Sequence, residues 1–161
     1  MSEFDHLPAR TRIVAAALVE AGVDPDIHEL ADSTRTAAEA AAALGCEVGA
    51  IASSLVFSCD GEPVLVMTSG RHRVDLTMLA AHLDGRPVIR ATPEQVRDAT
   101  GQAIGGVAPV GHPTPIRTFV DVALNEHPRL WASAGTPHTV FPLSYDELVS
   151  LTGGTPIVVS A

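Results

Sequence analysis

Apolar residues recur at helical spacing through "LPARTRIVAAALVEAG", residues 7–22, and Gly22 is a helix stop, so the pattern predicts an opening helix. "DIHELAD", residues 26–32, alternates as a short strand does. In "TRTAAEAAAALG" the pair Thr36 and Glu39 forms a capping-box pattern and Gly45 supplies the C-terminal stop, which predicts an alanine-rich helix. "AIASSLVFSCDGEPVLVMTSG", residues 50–70, reads as two apolar strands joined through Asp60-Gly61, a strong hairpin signal. Further helices are predicted over "VDLTMLAAHLDG", over "TPEQVRDATG" with Thr92 as N-cap and Pro93 at the first position, and over "SYDELVSLTGG" capped by Ser144 and Glu147. "RPVIRA", "IRTFVDVAL", "RLWASA", "HTVFPL" and "TPIVVSA" are strand-like. Strands outnumber helices and hairpins mix with crossovers, giving one mixed α+β domain over residues 1–161 with no linker or repeat.

One stretch fits neither period. "QAIGGVAPVGHPTPIR", Gln102 to Arg117, sets three glycines, three prolines and His112 among apolar residues. Gly105 and Gly106 allow unusual dihedrals and leave their amide hydrogens unshielded, while Pro109, Pro113 and Pro115 restrict the chain beyond them. Such a segment suits a rigid pocket wall.

Composition removes several alternatives. With 46% hydrophobic, 18% charged and 4% aromatic residues in 161, the chain is of globular type. No apolar run approaches the ~20 residues of a membrane span, and the acidic start is unlike a signal peptide, which points to the cytoplasm and no membrane partner. A net charge of −9 opposes wrapping of DNA or RNA, while leaving room for a pocket that grips one nucleic-acid end. All ten cations are arginine, so mechanisms that need a lysine amine are excluded. Cys46 and Cys59 have no Cys-x-x-Cys spacing, and the seven histidines show no paired spacing, so neither a metal nor another cofactor is expected. No serine lies in a Gly-x-Ser-x-Gly elbow, and "GQAIGG" lacks the Lys-Ser/Thr of a phosphate loop.

Three segments of unusual backbone remain: Ala52-Ser53-Ser54, Gly105 to Gly111, and Ser133 to His138. Together "TAAEAAAALGCEVGAIASSLVF", "VMTSGRHRVD", "TGQAIGGVAPVGH", "FVDVAL" and "WASAGTPHTVFPLSYDELVSLTG" resemble, in order and spacing, the YbaK-type aminoacyl-tRNA editing family. Its members are free-standing relatives of the editing insertion of bacterial prolyl-tRNA synthetases, and the likeness covers about residues 25 to 155. The resemblance implies a curved, barrel-like, mostly antiparallel sheet flanked by helices, and a cleft for the aminoacylated acceptor end of a tRNA. It implies a trans-acting deacylase that hydrolyses the ester of a mischarged tRNA, with a synthetase or elongation factor as a possible partner and a monomer or loose dimer as the working form. On this chain the loop beside the ester would be Gly105 to Pro109, with Gly105, Gly106 and Val107 as amide donors to the ester carbonyl or oxyanion. Ser54, Gly111, Asp121, Gly135 and His138 would complete the substrate site.

At one position the chain departs from the family. Its pattern there is roughly Ile-x-Lys-Ser/Thr-Leu-Val-Phe, and Ser53 stands where the lysine is expected. A charged donor is worth ~1.5–3 kcal/mol, roughly 10- to 150-fold in rate or affinity. Arg71 or Arg73 is a candidate substitute cation, with solvated surface charge as the alternative. His112 and His138 are each either a general base or a polar loop residue, and Trp131 either stacks on the terminal adenine or packs in the core. The alternative function is a binding module that kept the cleft and lost catalysis, holding an aminoacyl-tRNA end, a nucleotide or an amino-acid derivative.

Overall fold

The computed structural model describes residues 6–31 and 36–160, so the acidic start at residues 1–5, the last residue of the strand expected at 26–32, and Ala161 lie outside the described residues. In chain order the elements are α1 (Ala9–Glu20), β1 (His28–Glu29), α2 (Ala37–Leu44), β2 (Ile51–Cys59), β3 (Glu62–Ser69), α3 (Leu76–Ala81), β4 (Val88–Arg90), α4 (Pro93–Thr100), β5 (Arg117–Asp121), β6 (Leu130–Ser133), β7 (Thr139–Leu143), α5 (Tyr145–Thr152) and β8 (Thr155–Ile157). Short 3₁₀ turns at Val48–Ala50 and Val122–Glu126 precede β2 and follow β5.

Local chemistry accounts for the boundaries. α2, α4 and α5 open with complete capping boxes at Thr36/Glu39, Thr92/Gln95 and Ser144/Glu147, each N-cap being worth ~1 kcal/mol. α3 opens instead at Asp75, whose carboxylate accepts the N–H groups of Thr77 and Met78. Asp60 and Gly61 hold φ of 51° and 82°, the paired positive values of a two-residue hairpin loop, which fixes the β2–β3 register from Cys59↔Glu62 to Ala52↔Ser69. The strand expected over residues 116–124 ends early. Asp121 accepts the Ala123 N–H at 2.9 Å and turns the chain into the 3₁₀ segment.

The eight strands form one mixed sheet in the order β1-β7-β6-β2-β3-β5-β8, with β4 added to β2. Four of the described pairings are antiparallel and three parallel. The sheet is open, with β1 and β8 at its ends, so the barrel-like expectation holds for the mixed α/β architecture without closure. Side chains alternate between two covered faces. Ala52, Val56, Leu65 and Met67 pack with Val14, Leu18, Phe141 and Leu148 on one side. On the other side Phe57, Val64 and Val66 meet Leu79 and Leu83, and Ile51 meets Trp131, Ala40 and Ala41.

β2 is the hinge of the site because its second edge is shared. Ile51 and Ala52 pair with Trp131 and Ala132 of β6, and Phe57 to Cys59 pair with Arg90 to Val88 of β4. Ser53, Ser54 and Leu55 fall between the two and have no strand beside them on that edge among the described residues. The sheet therefore carries a notch in its middle.

Candidate active site

A cavity of about 290 Å³ fills the notch. Every residue from Ile51 to Val56 lines it. Because alternate strand residues face opposite sides of a sheet, the cavity reaches both faces of β2. Thr36, Ala40 and Trp131 close it on one face, and Val96, Gly105 and Val107 on the other. Strand geometry also orients the main chain. The Ile51 carbonyl accepts the Gly70 N–H at 2.8 Å on the β3 side, and the Val56 carbonyl accepts the Ala91 N–H at 3.1 Å on the opposite side. Ser54, in phase with Val56, thus turns its N–H and C=O toward the notch. Its hydroxyl donates to Met67 Sδ at 3.3 Å, whereas the half-buried Ser53 hydroxyl makes no hydrogen bond among the described residues.

The glycine-rich loop is braced from behind. Gln102 is buried; its Oε1 accepts the Ala108 N–H at 2.7 Å and its Nε2 donates to the Val110 carbonyl at 3.3 Å. The loop turns at Gly105, where φ is 85°, a value that costs other residues strain. At Gly106 the constraint is closeness: a Cβ there would stand 2.9 Å from the Thr136 backbone. The three expected donors are therefore not equivalent. Gly106 donates to the Ala103 carbonyl at 2.9 Å and does not line the cavity. Gly105 and Val107 both line it, and neither amide has a partner among the described residues. Val107 is only 4% exposed, and its N–H has no acceptor among the described residues, a state that buried amides rarely keep.

Other sequence candidates lie elsewhere. Asp121 is buried away from the cavity, its carboxylate accepting the N–H of Ser69 at 3.0 Å and of Ala123 at 2.9 Å and pairing with His72 Nδ1 at 2.8 Å. Pro109 is buried behind the loop, and Gly111 with His112 borders a separate groove against α1. His112 Nε2 meets the Ala108 carbonyl at 2.9 Å, and burial holds its pKa below the ordinary value, with that hydrogen bond as a smaller opposing effect. Gly135 donates its N–H to Ser133 Oγ, so it supports a lining residue without lining the cavity. His138 is exposed and outside the lining. Arg71 pairs with Glu126 at 2.6 Å, Arg73 is exposed, and neither lines the cavity. Trp131 lines the cavity while also packing in a core cluster, so both of its readings have a structural basis.

Sequence reasoning passed over Arg90 and Thr36 as lining residues, while Ser133, the first residue of the third candidate segment, does line the cavity. Arg90 reaches the cavity only through the β4–β2 pairing, which no local motif announces.

Among the described residues the cavity wall contains no carboxylate, imidazole or thiol. It offers main-chain groups, hydroxyls and the Arg90 side chain, set in a mixed α/β fold. The aminoacyl-tRNA editing domain model matches residues 31–151, and the chain belongs to that family. A solved structure described as a candidate trans-editing enzyme for prolyl tRNA synthetase superposes with a TM-score of 0.90 at 44% identity, covering 96% of this chain and 99% of that one. A proline–tRNA ligase of Nitratidesulfovibrio vulgaris (strain DP4) is 35% identical over 114 residues, 71% of this chain and 18% of the ligase. The chain therefore spans about a fifth of such a ligase. Protein YwhH of Bacillus subtilis (strain 168) is 28% identical over 124 residues, covering 76% of this chain and 78% of that protein. Among the described residues no helix is long and apolar enough to cross a membrane.

Proposed function

We propose that the protein is a trans-acting deacylase that hydrolyses the ester of a mischarged tRNA, with tRNA charged by prolyl-tRNA synthetase as its first candidate substrate. The observation that carries this reading is that Gly105 and Val107, whose N–H groups have no partner among the described residues, line a cavity whose described wall holds no carboxylate, imidazole or thiol. Such donors match an ester carbonyl whose oxygen gains charge during attack, and losing one donor of this kind costs ~10²–10³ in kcat. At about 290 Å³ the cavity holds an acylated ribose and leaves the tRNA body outside.

The chemistry follows from that inventory. Water adds to the carbonyl carbon held by the two amides, and the bond from that carbon to the ribose oxygen breaks. The departing oxygen takes up a proton, leaving a free amino acid and a tRNA hydroxyl. The neighbouring ribose hydroxyl relays the proton, so the protein supplies geometry. Ser53 and the inward-turned main chain of Ser54 fix the ribose and acyl group opposite the loop.

A second reading rests on Ser53. Without a lysine at this position the same cavity serves as a binding module for the acylated end. Purified protein incubated with a panel of mischarged tRNAs separates the two. The deacylase reading expects ester loss above the spontaneous rate, raised roughly 10- to 150-fold in Ser53→Lys. Loss at the spontaneous rate in both proteins, with tight binding of a non-hydrolysable aminoacyl-adenosine analogue, selects the binding module.

A further inference from the structure

Among the described residues that line the cavity, Arg90 alone has an ionisable side chain. Arg71 and Arg86 are paired with Glu126 and Asp60, whereas no carboxylate among the described residues lies within ion-pair distance of Arg90. Its guanidinium instead lies over the ring of buried Phe57, 5.7 Å from the centroid, and Phe57 is its cross-strand neighbour in the β2–β4 ladder. A guanidinium over an aromatic face is attracted by the ring and keeps its N–H donors for other partners. In a chain of net charge −9, an arginine at a cavity with no acid among its described lining residues is a receptor for an anion, and its planar fork suits phosphate oxygens.

Position selects which anion. Phe57 and Ser53 share one face of β2, four residues apart, roughly 13 Å at ~3.3 Å per residue. With a ribose seated beside Ser53, Arg90 lies toward the β4 end of that strand and lines the same cavity. We infer that Arg90 forms a phosphate subsite at the β4 end of the cavity, which takes the 5′-phosphate of the acylated nucleotide. The subsite rests on the acylated-ribose reading of the cavity. It gives a lysine-free chain its cation at a place distinct from position 53.

The test titrates a non-hydrolysable 3′-aminoacylamino-adenosine and its 5′-monophosphate into the full chain. Trp131, the sole tryptophan and a lining residue, serves as the fluorescent reporter. The monophosphate should bind about tenfold or more tighter, as expected for a charge-assisted contact. Arg90→Gln should erase that difference so that the two analogues bind alike, and Arg90→Lys should keep part of it. With a CCA-ended oligonucleotide carrying the same acyl group, Arg90→Gln should lower the slope of log affinity against log salt by about 0.7. Equal binding of both analogues to the unmodified chain overturns the subsite and leaves the acylated-ribose reading standing. Binding of neither overturns both. Free AMP binding as tightly as the acylated monophosphate, with the same Arg90 dependence, assigns the subsite to free nucleotide and also overturns the inference.

Discussion

Two regions of this protein treat buried polar groups in opposite ways. Around Asp121, at the far end of β3 and β5, two main-chain N–H groups and an imidazole converge on one carboxylate. The Ser69 hydroxyl then passes the connection to the Gly49 carbonyl at 2.9 Å, just ahead of β2. In the notch, among the described residues, the Gly105 and Val107 amides have no partner and the edge of β2 beside Ser54 has no strand. Leaving a buried donor unmade costs ~1–3 kcal/mol, so the fold bears that cost at the notch and avoids it at Asp121. On the proposed reading a ligand repays it at the notch, and the Asp121 cluster serves as scaffold.

The sharpest way to break this contrast removes one N–H and nothing else. Replacing the peptide bond at Val107 by an ester, through the matching hydroxy acid, deletes the donor and keeps the side chain. Since this N–H has no partner to lose among the described residues, and an unpaired buried donor costs ~1–3 kcal/mol, the unfolding midpoint should hold or rise relative to the parent, while kcat for deacylation should fall ~10²–10³-fold. The same ester at Gly106 deletes the bond to Ala103 and should lower stability by ~1 kcal/mol with a smaller effect on rate. Equal rate losses at the two positions would erase the distinction drawn between them.

The opposite experiment is Asp121→Asn. The amide keeps the size of the carboxylate but turns a donor toward one of the two N–H groups that Asp121 accepts. Urea unfolding should report a loss of ~2–3 kcal/mol from that unpaired, buried contact. Turnover per folded molecule should remain within about threefold of the parent. A collapse of kcat with stability intact would move Asp121 from the scaffold into the chemistry.

The sequence made the helices legible because their caps are local. Thr36, Thr92 and Ser144 each announce a start, and Asp60-Gly61 announces the hairpin. The family was legible from the order of its motifs, and of the site so were the strand start at Ser53 and Ser54 and the loop at Gly105 and Val107, which do share one cavity. Long-range pairing was not legible. That β4 abuts β2 and stops short of β6 decides both the notch and the placing of Arg90, and nothing within three or four residues of Arg90 encodes it. The spending of the Gly106 amide inside its own loop was equally hidden, since adjacent glycines look alike in sequence and differ only in φ and neighbours.

The smallest effect tests how the loop is held from its outer side. Burial pushes the His112 pKa below its ordinary 6.5, and the hydrogen bond to the Ala108 carbonyl offsets only part of that. Arg10 and Glu20 border the same groove. Below pH 6.5 the unfolded chain takes up a proton that folded His112 still refuses, so the unfolded state binds more protons and stability falls with falling pH. The contribution is complete above 6.5 and is lost as pH drops through the folded value. His112→Gln retains a donor for Ala108 and removes the titration. Urea midpoints measured at pH 7.5 and 5.5 should therefore drop further in the parent than in this variant, by a margin below that of Asp121→Asn. Matching drops would show that His112 titrates as freely in the folded loop as in the unfolded chain, and that Gln102 alone holds Ala108 and its neighbours in place.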